Sequence, residues 1–261
     1  MSETVLTLKK SNKENTGDSA QKVESFISKY RKIILAAFIA VVAAAVAVCT
    51  VVLLKNKAKN NAIAAIYAVE TTYVKDVAAV EEKYAVNEES SDSEEETDVK
   101  ELTEEQKAAK SDELAAAVAK AIEALGPYVS ESGVVGVRSN LLAAEIHYAA
   151  KDYLSAQDSY LAAAEKDVKA YTYPVCYSNA GSCALELGKY ADAASYFEKA
   201  ASVKGYILAS HDVFRFAMAK ELSEDYSGAV KIYQEVADKY DDEWANLAQS
   251  SIIRLSVNGK N

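Results

Sequence analysis

Along most of the chain, apolar positions recur at steps of three and four, and no stretch shows the strict alternation of a half-buried strand. The exception is a block in which polar positions all but vanish. Ile33 to Leu54 is uncharged and apolar over 22 residues, held between Lys29, Arg31, Lys32 and Lys55, Lys57, Lys59. A helix rising about 1.5 Å per residue needs about 20 such residues to cross a hydrocarbon core about 30 Å thick, so the block predicts a transmembrane helix over 33–54. A cleavable leader would have a shorter apolar region and a shorter preamble than 32 residues. A lipid anchor on Cys49 is disfavoured because Val48 stands where a small residue is needed and apolar residues continue to Leu54. Residues 1–21 are polar and aperiodic, which predicts disorder. Val23, Phe26, Ile27 and Tyr30 then share one face beside Lys22 and Lys29, as in a short interfacial helix or the first turns of the span itself.

Beyond the span, Ile63, Ile66, Val69, Tyr73, Val77, Val80 and Tyr84 form one apolar stripe, the mark of an amphipathic helix. An acidic segment, 87–101, contains Glu94, Glu95 and Glu96 among serines and predicts a solvated loop. Thr103 and Gln106 have capping-box spacing. The helix they open carries Leu114, Val118, Ile122 and Leu125 inward and is expected to stop at Gly126-Pro127. Residues 55–128 therefore read as an antiparallel helical hairpin. Gly133-Val134-Val135-Gly136 reads as a loop leading out of it.

From about Val137 onward the chain repeats itself. The clearest unit is Tyr177-x-x-Ala180-Gly181-x-x-Ala184-Leu185-x-Leu187-Gly188-x-Tyr190-x-x-Ala193-x-x-Tyr196-Phe197-x-x-Ala200. A copy precedes it, from Asn140 through Ala143, Ala144 and Tyr153 to Ala163, and another follows, from Val213 through Ala217 and Tyr226 to Ala237. Tyr153, Tyr190 and Tyr226 are 37 and 36 residues apart. The unit resembles a tetratricopeptide repeat (TPR) over its full length. In that resemblance Gly181 and Ala193 let two helices approach closely, and Tyr190 and Phe197 fill the space between units. The closing proline of the family is missing from both links. A last helix, Asp242 to about Leu255, with Trp244, Leu247, Ile252, Ile253 and Leu255 apolar, would cap the stack. The expected fold is all-α: one N-terminal transmembrane helix, a helical hairpin, then over 129–261 a TPR superhelix of about three repeats with a capping helix.

Composition changes this picture little. Nine glycines and two prolines among 261 residues leave few breakers of helix. Charge says more. Residues 1–59 hold 10 basic against 4 acidic side chains, so the remainder carries 19 against 35, a net −16 within the overall −10. Such a domain repels phosphate backbones, and nucleic acid is not an expected partner. Cys176 and Cys183, seven apart, would lie about 10.5 Å apart on one helix, beyond disulfide reach, and read as small core residues. His147 and His211 fall in different repeats without metal-ligand spacing, and no nucleophile–base arrangement emerges. Neither catalysis nor a metal or other cofactor is expected.

Repeat stacks offer a concave surface lined by the first helix of each unit. The family's groove positions fall on Arg138, Leu141, Glu145 and Tyr148; on Val175, Ser178, Ser182 and Leu185; and on Phe214, Met218 and Glu221. This mixture suits an extended peptide or a docked helix. Leu141, Glu145 and Ser182 replace the lysine and asparagines of a terminal-carboxylate clamp, which disfavours that ligand. The plan as a whole resembles bacterial inner-membrane TPR proteins that accompany the Sec translocon and periplasmic chaperones. A short tail before a single uncleaved anchor is expected to stay in the cytoplasm while the anchor exports the repeats, and the resemblance implies a single-pass protein of the cytoplasmic membrane acting as an adaptor for a protein or peptide, with the translocon or a chaperone as neighbour. A competing reading is a structural scaffold of envelope assembly or division that forms a homo-oligomer through the hairpin.

Overall fold

The computed structural model describes residues 15–85 and 102–260. Among them there are helices and turns only: α1 Asn15–Lys83, α2 Glu104–Val129, α3 Gly133–Ala149, α4 Tyr153–Lys166, α5 Thr172–Glu186, α6 Tyr190–Ala201, α7 Ala209–Leu222, α8 Tyr226–Lys239 and α9 Glu243–Val257. The expected acidic loop lies outside the described residues, as does most of the polar N-terminal segment. From Asn15 that segment is already helical. The chain divides into two compact units, 1–59 and 60–261.

In the first unit α1 runs unbroken, so the interfacial helix expected before the span is not a separate element. Its apolar stretch is a candidate membrane span in which no side chain is buried by protein. Thr50, a hydroxyl inside the apolar run, donates to the Val46 carbonyl 2.8 Å away and so carries no unmet polar group into an apolar surrounding.

The second unit begins with the C-terminal part of α1, whose stripe faces inward around the fully buried Ile66. Antiparallel pairing with α2 is fixed by ion pairs of Lys83 with Glu113, Lys110 with Glu81 and Lys120 with Asp76. The capping box is present: Gln106 N–H donates to Thr103 Oγ1, and Thr103 N–H to Gln106 Oε1. Two expectations need correction here. α2 does not stop at Gly126-Pro127 but continues to Val129, because a proline this close to a C-terminus removes only one ladder bond. Residues 133–136 are not a loop but the first turn of α3. A Cβ on Gly136 would fall 1.8 Å from the Glu131 carbonyl oxygen, so the glycine there permits a tight turn between helices.

From α3 onward each helix packs mainly on its sequence neighbours, and α9 also touches α7. Small residues build these contacts: Ala144, Ala180, Ala184, Ala193, Ala217, Ala219 and Ala229 are fully buried. Larger ones fill between them, with Phe197 and Tyr233 the bulkiest fully buried side chains. The turns inside the three pairs share one backbone form, with Lys151, Gly188 and Glu224 each at positive φ. Asp152 and Asp225 then cap α4 and α8 by accepting from Ser155 and Gly228 N–H. The register of 37 and 36 residues places Ser139, Cys176 and Asp212 at one equivalent position, and all three are fully buried. Asp242 caps α9, accepting from Trp244 and Ala245 N–H. Of the apolar residues expected to seat α9, Leu255 is buried, but Leu247 and Ile253 face solvent, and Ala245 and Ala248 take the contact instead.

Candidate functional site

The first helices of the three pairs, α3, α5 and α7, carry the expected groove residues, and the structure sorts these into two groups. Four are held by partners within the fold. Arg138 Nη2 donates to Glu70 Oε2 at 2.6 Å, tying α3 to α1. Ser178 is buried, and its hydroxyl donates to Asp212 Oδ1 at 2.8 Å, joining α5 to α7. Phe214 packs between Tyr233 and Trp244, with ring centroids 5.3 and 5.5 Å away. Glu221 accepts both guanidinium N–H groups of Arg254 and the Tyr233 hydroxyl. The last two are covered because α9 lies on α7, a contact that position within a repeat cannot foretell.

The second group remains on the surface. Glu145 is exposed, Tyr148 is 38% exposed and stands edge-on to Tyr153, and Leu141, Val175, Ser182, Leu185 and Met218 are half-buried. Leu141 and Leu185 also wedge against the alanines between helices. Ser182 donates back to the Ser178 carbonyl, a bond within its own helix.

Sequence reasoning missed Arg215. Its side chain is half-buried, with the guanidinium 4.3 Å from the Phe197 ring centroid, and among the described residues it forms no ion pair. Burial holds its pKa below the ordinary arginine value, against the pull of Asp212 and Tyr148. Tyr148, exposed on α3, and Arg215, half-buried on α7, both stand on first helices, and α5 is linked to α7 by the Ser178–Asp212 hydrogen bond. Desolvation pushes up the Glu145 carboxyl, although the residue keeps solvent contact, and also the Tyr148 hydroxyl. A charged residue four positions from His211 on a first helix was the available signal, and packing alone would have left it polar and exposed.

His147 and His211 have structural surroundings. His147 Nδ1 is 3.4 Å from Asp152 Oδ2 at the turn into α4. His211 Nδ1 is 3.0 Å from Asp212 Oδ1, with its ring edge-on to Trp244. Cys176 and Cys183 are free and buried, and burial pushes their thiols up to about 12 and about 11, so neither is a ready nucleophile.

The fold is thus a stack of helical pairs, an architecture of interaction modules. No family model matches the chain. It is 30% identical over 117 residues to a TPR repeat-containing protein of Treponema pallidum (strain Nichols), a match covering 44% of this chain and 49% of that protein. The chain thus spans about half the length of the curated relative it matches.

Proposed function

We propose that this protein is a membrane-anchored TPR adaptor that holds a polypeptide segment on the face formed by α3, α5 and α7. The observation that carries the reading is the set of side chains that reach solvent from the first helices, the aromatic Tyr148 on α3, the apolar Leu185 on α5 and Met218 with the cation Arg215 on α7, with α5 joined to α7 by the Ser178–Asp212 bond. Aromatic and arginine side chains are the usual anchors of such interfaces. Similarity to a TPR repeat-containing protein supports the same class. A segment carrying apolar side chains and an acidic group would suit these residues, the acid facing Arg215.

The apolar block 33–54 supports anchoring by one span, with the N-terminus in the cytoplasm and the repeats outside it. In that setting the partner is an exported chain, the translocon or an envelope chaperone. Two measurements test the reading. Protease added to spheroplasts digests the repeats if they are outside; protection until lysis reverses the topology. In pull-downs from solubilised membranes, Tyr148→Ala with Arg215→Ala weakens capture at least about tenfold, while deletion of 87–101 leaves it intact. The opposite pattern sinks the groove and points to the acidic segment.

A further inference from the structure

The two edges of the helical stack differ in character. Turns within the pairs, 150–152, 187–189 and 223–225, carry no exposed large apolar side chain. Turns between the pairs carry several: Val168 and Tyr171 between α4 and α5, and Ile207 and Leu208 between α6 and α7. Tyr171 is 89% and Ile207 91% exposed, so these side chains pack on nothing in the fold. Each of the two turns repeats one short pattern, Val168-Lys169-Ala170-Tyr171 and Val203-Lys204-Gly205-Tyr206. Among the described residues neither Lys169 nor Lys204 has an ion-pair partner, although the region after residue 59 is strongly acidic overall. Paired lysines and bare apolar tips on two adjacent turns have a chemistry different from the rest of the domain.

Their position completes the argument. The α1–α2 ion pairs run antiparallel, so the end of α2, with Tyr128 and Val129, returns to the level of Ala62 and Ile63 in one apolar cluster. Lys166, at the end of α4, donates to the Ser130 carbonyl in the next turn of the chain. Tyr206, from the turn between α6 and α7, packs against the cluster formed by Ala163, Ala164, Cys176, Tyr177 and Ala200. The lysine-bearing turns therefore lie on the same edge as residue 62. Ala62 is eight residues from Leu54, a tether of at most about 28 Å even fully extended.

We infer that this edge is an interfacial docking surface for a bilayer with anionic headgroups, with Tyr171, Ile207 and Leu208 entering the headgroup region and Lys169 and Lys204 meeting lipid phosphates. Tyrosine and lysine are the residues of membrane–water interfaces, and apolar tips gain by insertion there. The last inter-pair turn, Tyr240-Asp241-Asp242, is acidic and ends the surface. The inference rests on the span reading, since without a tether the edge has no bilayer within reach.

The test uses the full chain with Cys49→Ser, reconstituted in phosphatidylcholine vesicles containing about one phosphatidylglycerol in three lipids. Bimane is placed at Ile207→Cys or, as control on the other edge, at Lys189→Cys; Cys176 and Cys183 are buried and stay unlabelled. Docking predicts quenching by nitroxide-labelled lipid at 207 but not at 189, and iodide quenching at 207 weaker by about threefold or more. Lys169→Glu with Lys204→Glu returns 207 to the behaviour of 189 while Trp244 emission is unchanged. Equal iodide access at both sites, in a chain that floats with vesicles after alkaline washing, overturns the docking and leaves the anchor standing. Shielding from iodide without nitroxide quenching means that protein covers the edge, and also overturns it. Failure to float removes the anchor, and the docking inference falls with it.

Discussion

Replacing Gly181 with alanine sets two effects of known sign against each other. Alanine gains about 1 kcal/mol over glycine inside a helix. At this position, however, a Cβ would stand 2.6 Å from Phe197 Cε1, with Cζ and Cδ1 at 2.8 and 2.9 Å, where carbon atoms prefer about 3.5–4.0 Å. The ring cannot retreat, because it is fully buried among Ala184, Ala193, Ala194 and Ala219 and has the Arg215 guanidinium 4.3 Å from its centroid. Overpacking of this kind costs about 1–3 kcal/mol, so the net expectation is a loss of about 1 kcal/mol. Ser182, the next residue on α5, supplies the control: it is half-buried and its hydroxyl donates only to the Ser178 carbonyl of its own helix. Ser182→Ala should therefore lie within about 0.5 kcal/mol of the parent. Urea denaturation of the intact chain in detergent, read by far-ultraviolet circular dichroism and by Trp244 emission, measures both. Shortening the obstructing ring with Phe197→Leu should cost less in the Gly181→Ala background than alone, with a coupling of at least about 0.5 kcal/mol. Equal losses at Gly181 and Ser182, or strict additivity with Phe197→Leu, would refute the packing argument.

Three further outcomes follow from individual contacts. Ser178→Leu should destabilise by about 2 kcal/mol or more in the same denaturation assay, since it overfills a buried site and strips Asp212 of a donor, whereas Ser182→Ala should lie within about 0.5 kcal/mol of the parent; equal effects would reject the assignment. Arg254 holds the Glu221 carboxyl below its usual value, so the pair stabilises the α7–α9 contact at neutral pH and the gain is lost as pH falls from about 4.3, the unfolded glutamate value, through the folded one. Partial exposure limits the effect to about 1 kcal/mol, and Glu221→Gln should flatten that part of the pH–stability curve read by Trp244; an unchanged curve would deny the pair its role. In intact membranes Cys49 should resist a charged maleimide until the membrane is dissolved in detergent, while Cys176 and Cys183 react only after unfolding; ready labelling of Cys49 by the charged reagent in intact membranes contradicts the span.

The repeat was legible because its signal is redundant: the spacing of Tyr153, Tyr190 and Tyr226 and the small residues Ala144, Gly181 and Ala217 report the same register independently. Helix ends were harder to place. Gly126-Pro127 reads as a stop, yet proline near the C-terminus of α2 loses little, and the Gly-rich start of α3 serves close packing rather than a loop. The groove was legible only in part. The resemblance places Phe214 and Glu221 in the groove, but α9 supplies Trp244 and Arg254 to cover them. Ser178 reads as a groove residue because its partner, Asp212, stands where the other repeats place Ser139 and Cys176, a substitution within the repeat pattern that pulls it inward. Arg215 was missed for a related reason: its half-burial comes from Phe197 of the preceding pair, a contact made between repeats.

The most direct test of the adaptor reading is site-specific photocrosslinking in intact membranes. A photoreactive side chain at Tyr148, Leu185 or Met218 samples the face of the first helices, and one at Glu198 samples the exposed side of α6. The account predicts adducts with exported polypeptides or the translocon from the first three positions and none from Glu198, with the Tyr148 adducts lost on Arg215→Ala. Adducts of equal yield from Glu198, or a single adduct with a second copy of the chain from every position, would contradict it.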